Sequence, residues 1–291
     1  MNSERASNTA KVIAASTILL DSDRRTAPLV TPGAADLCRT FLAGSAIDRW
    51  LAKSAAWPVT RMLWRGVESL TLPGIMEHYW HRKRWIESRC QDALAEGFER
   101  LVILGAGFDT LGYRLSEGFP QLDVVELDHP ATQEAKLRAL KHDSTEIPPN
   151  LKFVGRDLGR QSFPSGLFDD SKSVLFVIEG VLMYLSFSSV NQLFDALRGL
   201  PAQRVRVIFS FMTEWSDGRT EFRPRSWLID WWLAWRKEPF TWGIEPDAME
   251  DFLSSRGFAM KELSSTLEFS NAPISSTMKL EGENLVLCES I

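Results

Sequence analysis

Leu101-Val102-Ile103-Leu104-Gly105-Ala106-Gly107-Phe108-Asp109-Thr110-Leu111-Gly112-Tyr113-Arg114 is the stretch on which the fold turns. A run of four apolar residues enters two closely spaced glycines and leaves into a helical pattern. An uninterrupted apolar run suits a strand covered on both faces, as in a parallel sheet. Glycine accepts a sharp backbone turn and lets the main chain approach a ligand that a side chain would obstruct.

The same alternation of short apolar runs and helical stretches continues on the C-terminal side. Leu122–Glu126, Leu151–Val154, Ser173–Ile178 and Val205–Phe209 read as strands, with room for a crossover helix between most neighbours. A Trp-rich segment at residues 213–245 interrupts the pattern. The pattern then resumes with a helix from Glu245-Pro246 and strands at Phe258–Leu263 and Asn284–Cys288. Residues 1–98 read as helices broken near Pro28, Pro32-Gly33 and Pro73-Gly74, without strand-like alternation. The expected architecture is α/β: a doubly wound, seven-stranded, mostly parallel Rossmann-like sheet formed by residues 99–291. An N-terminal helical region and a helical cap insertion accompany it. Ligands of such sheets lie beyond the carboxyl ends of the strands.

Acids recur at those ends. Asp109 follows the glycines, and Glu126 and Asp128 lie in Val124-Val-Glu126-Leu-Asp128-His129-Pro130. Asp157 follows the third strand in Gly155-Arg-Asp157-Leu158, and Glu179 the fourth in Glu179-Gly-Val-Leu-Met-Tyr184-Leu. A dinucleotide site is the rival reading, and would make the chain an NAD-dependent oxidoreductase. That fingerprint requires a third glycine where Thr110 stands, and Gly112 is out of phase. Asp109 also sets a negative charge where a pyrophosphate would sit, which favours the cationic amino acid end of S-adenosylmethionine (SAM). A carboxylate at the second strand's end can accept hydrogen bonds from both ribose hydroxyls. Asp157 is placed to accept one from an adenine amino group.

Composition bounds the remaining classes. The 291 residues are 44% hydrophobic and 24% charged, as expected of a chain with a sizeable buried core. A net charge of −5, with both signs interspersed, argues against nucleic-acid binding. Three scattered cysteines suit a reducing compartment, and a cytoplasmic protein is expected. His78 and His81 have no evident partner for a metal, so none is expected. The apolar run Val12–Leu20 is too short to span a bilayer. Oligomeric state is left open by the sequence.

With these residues in view, the chain resembles the leucine carboxyl methyltransferase family, which includes protein phosphatase methyltransferases and bacterial small-molecule O-methyltransferases. The resemblance runs from about residue 75 to the C-terminus and rests on Gly105-Ala-Gly107-Phe-Asp109-Thr110 with Tyr113-Arg114, Glu126-Leu-Asp128-His-Pro130, Asp157-Leu158 and Glu179-Gly-Val-Leu-Met-Tyr184-Leu. Gly243-Ile-Glu-Pro246 and Arg256-Gly257-Phe258 extend it. It implies a class I SAM-dependent methyltransferase fold. In that fold Gly105, Ala106 and Gly107 line the methionine end, with Asp109 beside them. Glu126 or Asp128 holds the ribose, Asp157 with Leu158 meets the adenine, and Glu179 lies beside the methionine amine. Arg82 matches an arginine that binds the SAM carboxylate, with Arg84 as the alternative alignment. Leu111 departs from the arginine many bacterial members carry after Asp-Thr, and residues 1–75 match poorly.

Methyl transfer chiefly needs the acceptor and the methyl held in line about 3–3.5 Å apart. A carboxylate is ionised at neutral pH and needs no base, whereas a phenol benefits from one. His129 and Tyr184 are the candidate catalytic residues. Trp227, Trp231, Trp232 and Trp235 share one face of a helical register, and Trp231 and Trp235 are the candidate substrate wall. The expectation is a small-molecule O-methyltransferase of secondary metabolism. The alternatives are a SAM-binding protein without turnover or with a repurposed reaction, and a protein carboxyl methyltransferase.

Overall fold

Val174-Leu-Phe-Val-Ile178 is buried at every position, as is Arg100–Leu104, because each of these strands is covered on both faces. They are two of seven strands in a computed structural model that describes residues 7–164, 166, 168, 172–223, 240–265 and 280–291. The strands are β1 (Arg100–Leu104), β2 (Asp123–Asp128), β3 (Leu151–Gly155), β4 (Val174–Ile178), β5 (Val205–Met212), β6 (Phe258–Ser265) and β7 (Glu283–Ser290). Their order in the sheet is β3-β2-β1-β4-β5-β7-β6, with β7 antiparallel to both neighbours and the other pairings parallel. All seven expected strands are present. β2 begins one residue later than expected and runs two residues further, to Asp128.

The chain steps outward from β1 through β2 to β3, then returns to lay β4 on the other side of β1. This reversal opens a crevice at the carboxyl ends of β1 and β4, the usual ligand position in a doubly wound sheet. Side chains alternate across the sheet. Leu101, Ile103 and Val177 join one core, while Val102, Leu104, Phe176 and Ile178 join the other.

The N-terminal helices supply the first of those cores. α1 (Asn8–Asp21) buries Ile18, Leu19 and Leu20, so the apolar run read in the sequence is a core helix. Among the described residues no helix is long and apolar enough to cross a membrane. α2 (Ala34–Phe41) and α5 (Ile75–Ala95) follow the expected breaks, with left-handed Gly33 and Gly74 at their N-termini. Two breaks escaped the sequence reading. Ser45 caps α3 (Ala46–Ala56), and Pro58 opens α4 (Pro58–Thr71), where the missing N–H costs nothing. Ala14, Phe41, Trp80 and Ile86 share one cluster with Leu101 and Val124, so residue 98 marks a change of element type within a continuous core. α6 (Leu111–Gly118), α7 (Pro130–His142), α8 (Phe187–Arg198) and α9 (Met249–Ser254) complete the described helices.

Candidate functional site

The glycine loop is held open by its own backbone. Gly105 sits at φ +68°, and a Cβ there would lie 2.3 Å from Val181 Cγ2, so the turn requires glycine on both counts. Gly112, out of phase for a dinucleotide, serves packing. A Cβ on it would meet the Glu126 carboxylate at 2.6 Å, so its absence lets α6 lie directly on β2.

A cavity of about 550 Å³ opens beyond the loop. Gly105, Ala106, Gly107, Asp109, Asp128, Asp157, Leu158, Glu179 and Arg82 all line it, so nearly the whole expected cofactor set meets in one cavity. Glu126 is the exception. It is fully buried, and its carboxylate pairs with Lys136 Nζ at 2.6 Å. The sequence reading ended β2 at Glu126, but the strand continues to Asp128. At about 3.3 Å per residue, Glu126 therefore lies roughly 7 Å short of the carboxyl end. Asp128 takes that place, and its carboxylate accepts the N–H groups of Gly107 and His129. Burial pushes its pKa up, against the pull of those two bonds.

α5 borders the cavity and presents Tyr79, Arg82 and Lys83 to it at i, i+3 and i+4. Arg82 donates to Glu179 Oε1 at 2.6 and 2.9 Å and to both oxygens of Glu283 at 2.6 and 2.8 Å. Lys83 donates to Asp109 at 2.6 Å and to Glu179 at 3.1 Å. Burial alone would raise the Glu283 pKa, but Arg82 and His78 hold it down at about 2. Burial also opposes ionisation of Asp109, and Lys83 overrides it. Arg84, the alternative to Arg82, donates to Pro28 O at 2.8 Å and does not line the cavity. Lys83 and Glu283 were not singled out from the sequence. Lys83 carried a weak signal as a buried charge beside Arg82, whereas Glu283, 200 residues away, carried none.

The expected catalytic residues divide. His129 Nδ1 accepts the N–H of Ala131 at 3.3 Å and caps α7, with Nε2 turned towards Asp157 at 3.8 Å. Its Nδ1 is thus committed to the turn after β2, while the residue as a whole still lines the cavity. His129→Ala should cost about 1 kcal/mol of stability. His129→Asn, which keeps a capping acceptor, should recover most of it in thermal denaturation. Tyr184 lines the cavity beside Phe240, with ring centroids 5.7 Å apart. Trp231 and Trp235, with Trp227 and Trp232, lie outside the described residues. Trp242, the last tryptophan of that segment, packs in the core on Phe252. Phe222, Phe240 and Ile13 of α1 complete an apolar side to the cavity that the sequence did not disclose. Among the described residues no His, Cys, Asp or Glu cluster is arranged to hold a metal.

The sequence profile described as leucine carboxyl methyltransferase matches residues 17–198. A protein of Mycolicibacterium vanbaalenii, provisionally named an S-adenosyl-L-methionine-dependent methyltransferase, is 34% identical over 146 residues, covering 48% of this chain and 46% of that protein. A protein of Mycolicibacterium smegmatis with a similar provisional name is 28% identical over 193 residues, 61% of this chain and 60% of that one. The chain thus spans about half the length of these curated relatives. A crystal structure from Thermobifida fusca, also provisionally named a methyltransferase, aligns with a TM-score of 0.53 at 16% identity. It covers 87% of this chain and 93% of its own, a likeness that concerns the fold.

Proposed function

The chain belongs to the leucine carboxyl methyltransferase family, and from that premise we propose that it is a SAM-dependent O-methyltransferase acting on a carboxylate or hydroxyl of a small molecule. The observation that carries the reading is the charge pattern of the cavity. Two cations, Arg82 and Lys83, face three carboxylates, Asp109, Glu179 and Glu283, leaving one net negative charge beside the glycine loop. SAM, whose zwitterionic amino acid end and sulfonium together carry one positive charge, matches that balance. A pyrophosphate would be repelled by it, so the dinucleotide reading is disfavoured.

In this reading Glu179 and Asp109 receive the ligand ammonium, and Arg82 and Lys83 steer its carboxylate. Asp128 accepts from the ribose hydroxyls, while Asp157 and Leu158 receive the adenine. Bound SAM supplies an electrophilic methyl group on sulfur. The chain's own task is to hold an acceptor oxygen in line and exclude water. Burial raises the Tyr79 hydroxyl to about 12, which makes it a poor base. With His129 engaged as a cap, the described cavity favours an acceptor that is already ionised, such as a carboxylate. Tyr184, Phe222 and Phe240 support an apolar or aromatic body for that acceptor. A small molecule of secondary metabolism fits this wall better than a protein C-terminus.

Calorimetric titration with SAM, its demethylated product and NAD tests the cofactor. SAM and product should bind and NAD should not. Asp157→Ala should weaken SAM binding about 5- to 30-fold through the lost adenine contact. Absence of SAM binding by the folded protein defeats the proposal. Binding without transfer to any carboxylic acid or phenol would favour the non-catalytic alternative. Efficient methylation of a phosphatase C-terminal peptide would favour the protein methyltransferase.

A further inference from the structure

α4 is turned inside out. Arg61, Trp64, Arg65 and Glu68, at i, i+3, i+4 and i+7, form one stripe, and that stripe faces the protein. Arg61 donates to Ser22 O, and Arg65 to Asp23 at 3.1 Å and Thr26 at 3.3 Å. Trp64 Nε1 donates to Ser54 Oγ at 3.3 Å, and Glu68 accepts the Met76 N–H at 3.0 Å. These bonds fix the helix rotation. They leave Val59, Met62, Leu63, Val67 and Leu70 facing outward with Trp57 at the entry, each 55–78% exposed. No exposed residue of α4 is charged.

We propose that this face of α4 is the contact surface for a second copy of the chain, the two helices crossing about a two-fold axis at Gly66. Three observations favour that occupant. The six large apolar side chains, each 55–78% exposed, form an open apolar patch of the kind that marks a protein contact surface. An uncharged face meets its own copy without like-charge repulsion, as an isologous contact requires. Gly66 lies in the middle of the outward face, and a Cβ there would meet nothing within 4 Å. Glycine weakens a helix interior, and packing among the described residues does not call for it here. Close approach of another backbone does. A lipid surface is the poorer occupant, because it attracts a basic rim and both arginines of α4 are spent inward.

The test is the molar mass of the full chain in solution, by sedimentation or light scattering across the micromolar range. The wild type should have twice the 32.9 kDa chain mass. Leu63→Glu should raise the dimer dissociation constant at least about thirty-fold. Gly66→Leu, whose Cβ would meet nothing within 4 Å, should keep the thermal unfolding midpoint yet weaken the dimer at least about tenfold. It also keeps the question decidable should Leu63→Glu fail to fold. A wild-type monomer at micromolar concentration overturns the proposal, as does a dimer indifferent to both substitutions. A wild-type monomer that floats with phosphatidylcholine–phosphatidylglycerol vesicles, and no longer does so as Leu63→Glu, would assign the face to lipid.

Discussion

Arg82→Met is expected to lower the unfolding free energy by about 3–5 kcal/mol at neutral pH and to abolish measurable SAM binding. The size follows from what the substitution leaves behind. Glu283 is fully buried and Glu179 nearly so, and both share the Arg82 guanidinium, with His78 and Lys83 respectively as their second partners. Methionine fills much of the volume, so the loss would be one of charge more than of packing. The pH dependence carries the diagnosis. With Arg82 present, the Glu283 carboxyl stays ionised to about 2, below its unfolded value of 4.5. Its pairing therefore contributes stability above pH 4.5 that is lost as pH falls towards 2. In the variant the same carboxyl is buried without its cation and its pKa rises, so the proton it takes up relieves the defect. The deficit should be largest near neutrality and shrink on acidification, as chemical denaturation at a series of pH values would reveal. A deficit that is constant with pH would point to packing and count against the charge assignment.

Gly105→Ala is the second large expectation, with a loss of about 2–4 kcal/mol in stability and at least about a hundredfold in SAM affinity. The backbone there is left-handed, and the new methyl falls 2.3 Å from Val181 Cγ2. Val181 is short and β-branched and cannot swing clear, so the loop must move. Movement of the loop displaces the Gly105 and Gly107 backbone that lines the cavity. Adding Val181→Ala should restore part of the stability, because the clash disappears while the φ penalty remains. Such non-additivity is the mark of two residues in contact. Additive losses in the double variant would show that the clash is not the cause.

The inverted helix illustrates how little a local pattern says about its partner. Val59, Met62, Leu63, Val67 and Leu70 have the spacing of a core stripe, and by periodicity alone they would be assigned to the interior. Arg61, Trp64, Arg65 and Glu68 find their partners near the end of α1, on α3 and at the start of α5, and those partners decide which side faces in.

Sequence by itself determined the strands, the turn at Gly105 and the acids at the strand ends. These are local matters: apolar runs of strand length, glycine where the backbone must turn, and charge where a strand leaves the core. The tertiary structure alone decided which of Glu126 and Asp128 reaches the cavity, since both point to the same face and only the strand's length separates them. It alone paired Arg82 with Glu283, 201 positions apart, and it set His129 Nδ1 as the cap of α7. Such assignments depend on which distant groups share a desolvated space, where an unpaired charge is too costly to persist, and no local spacing encodes that neighbourhood.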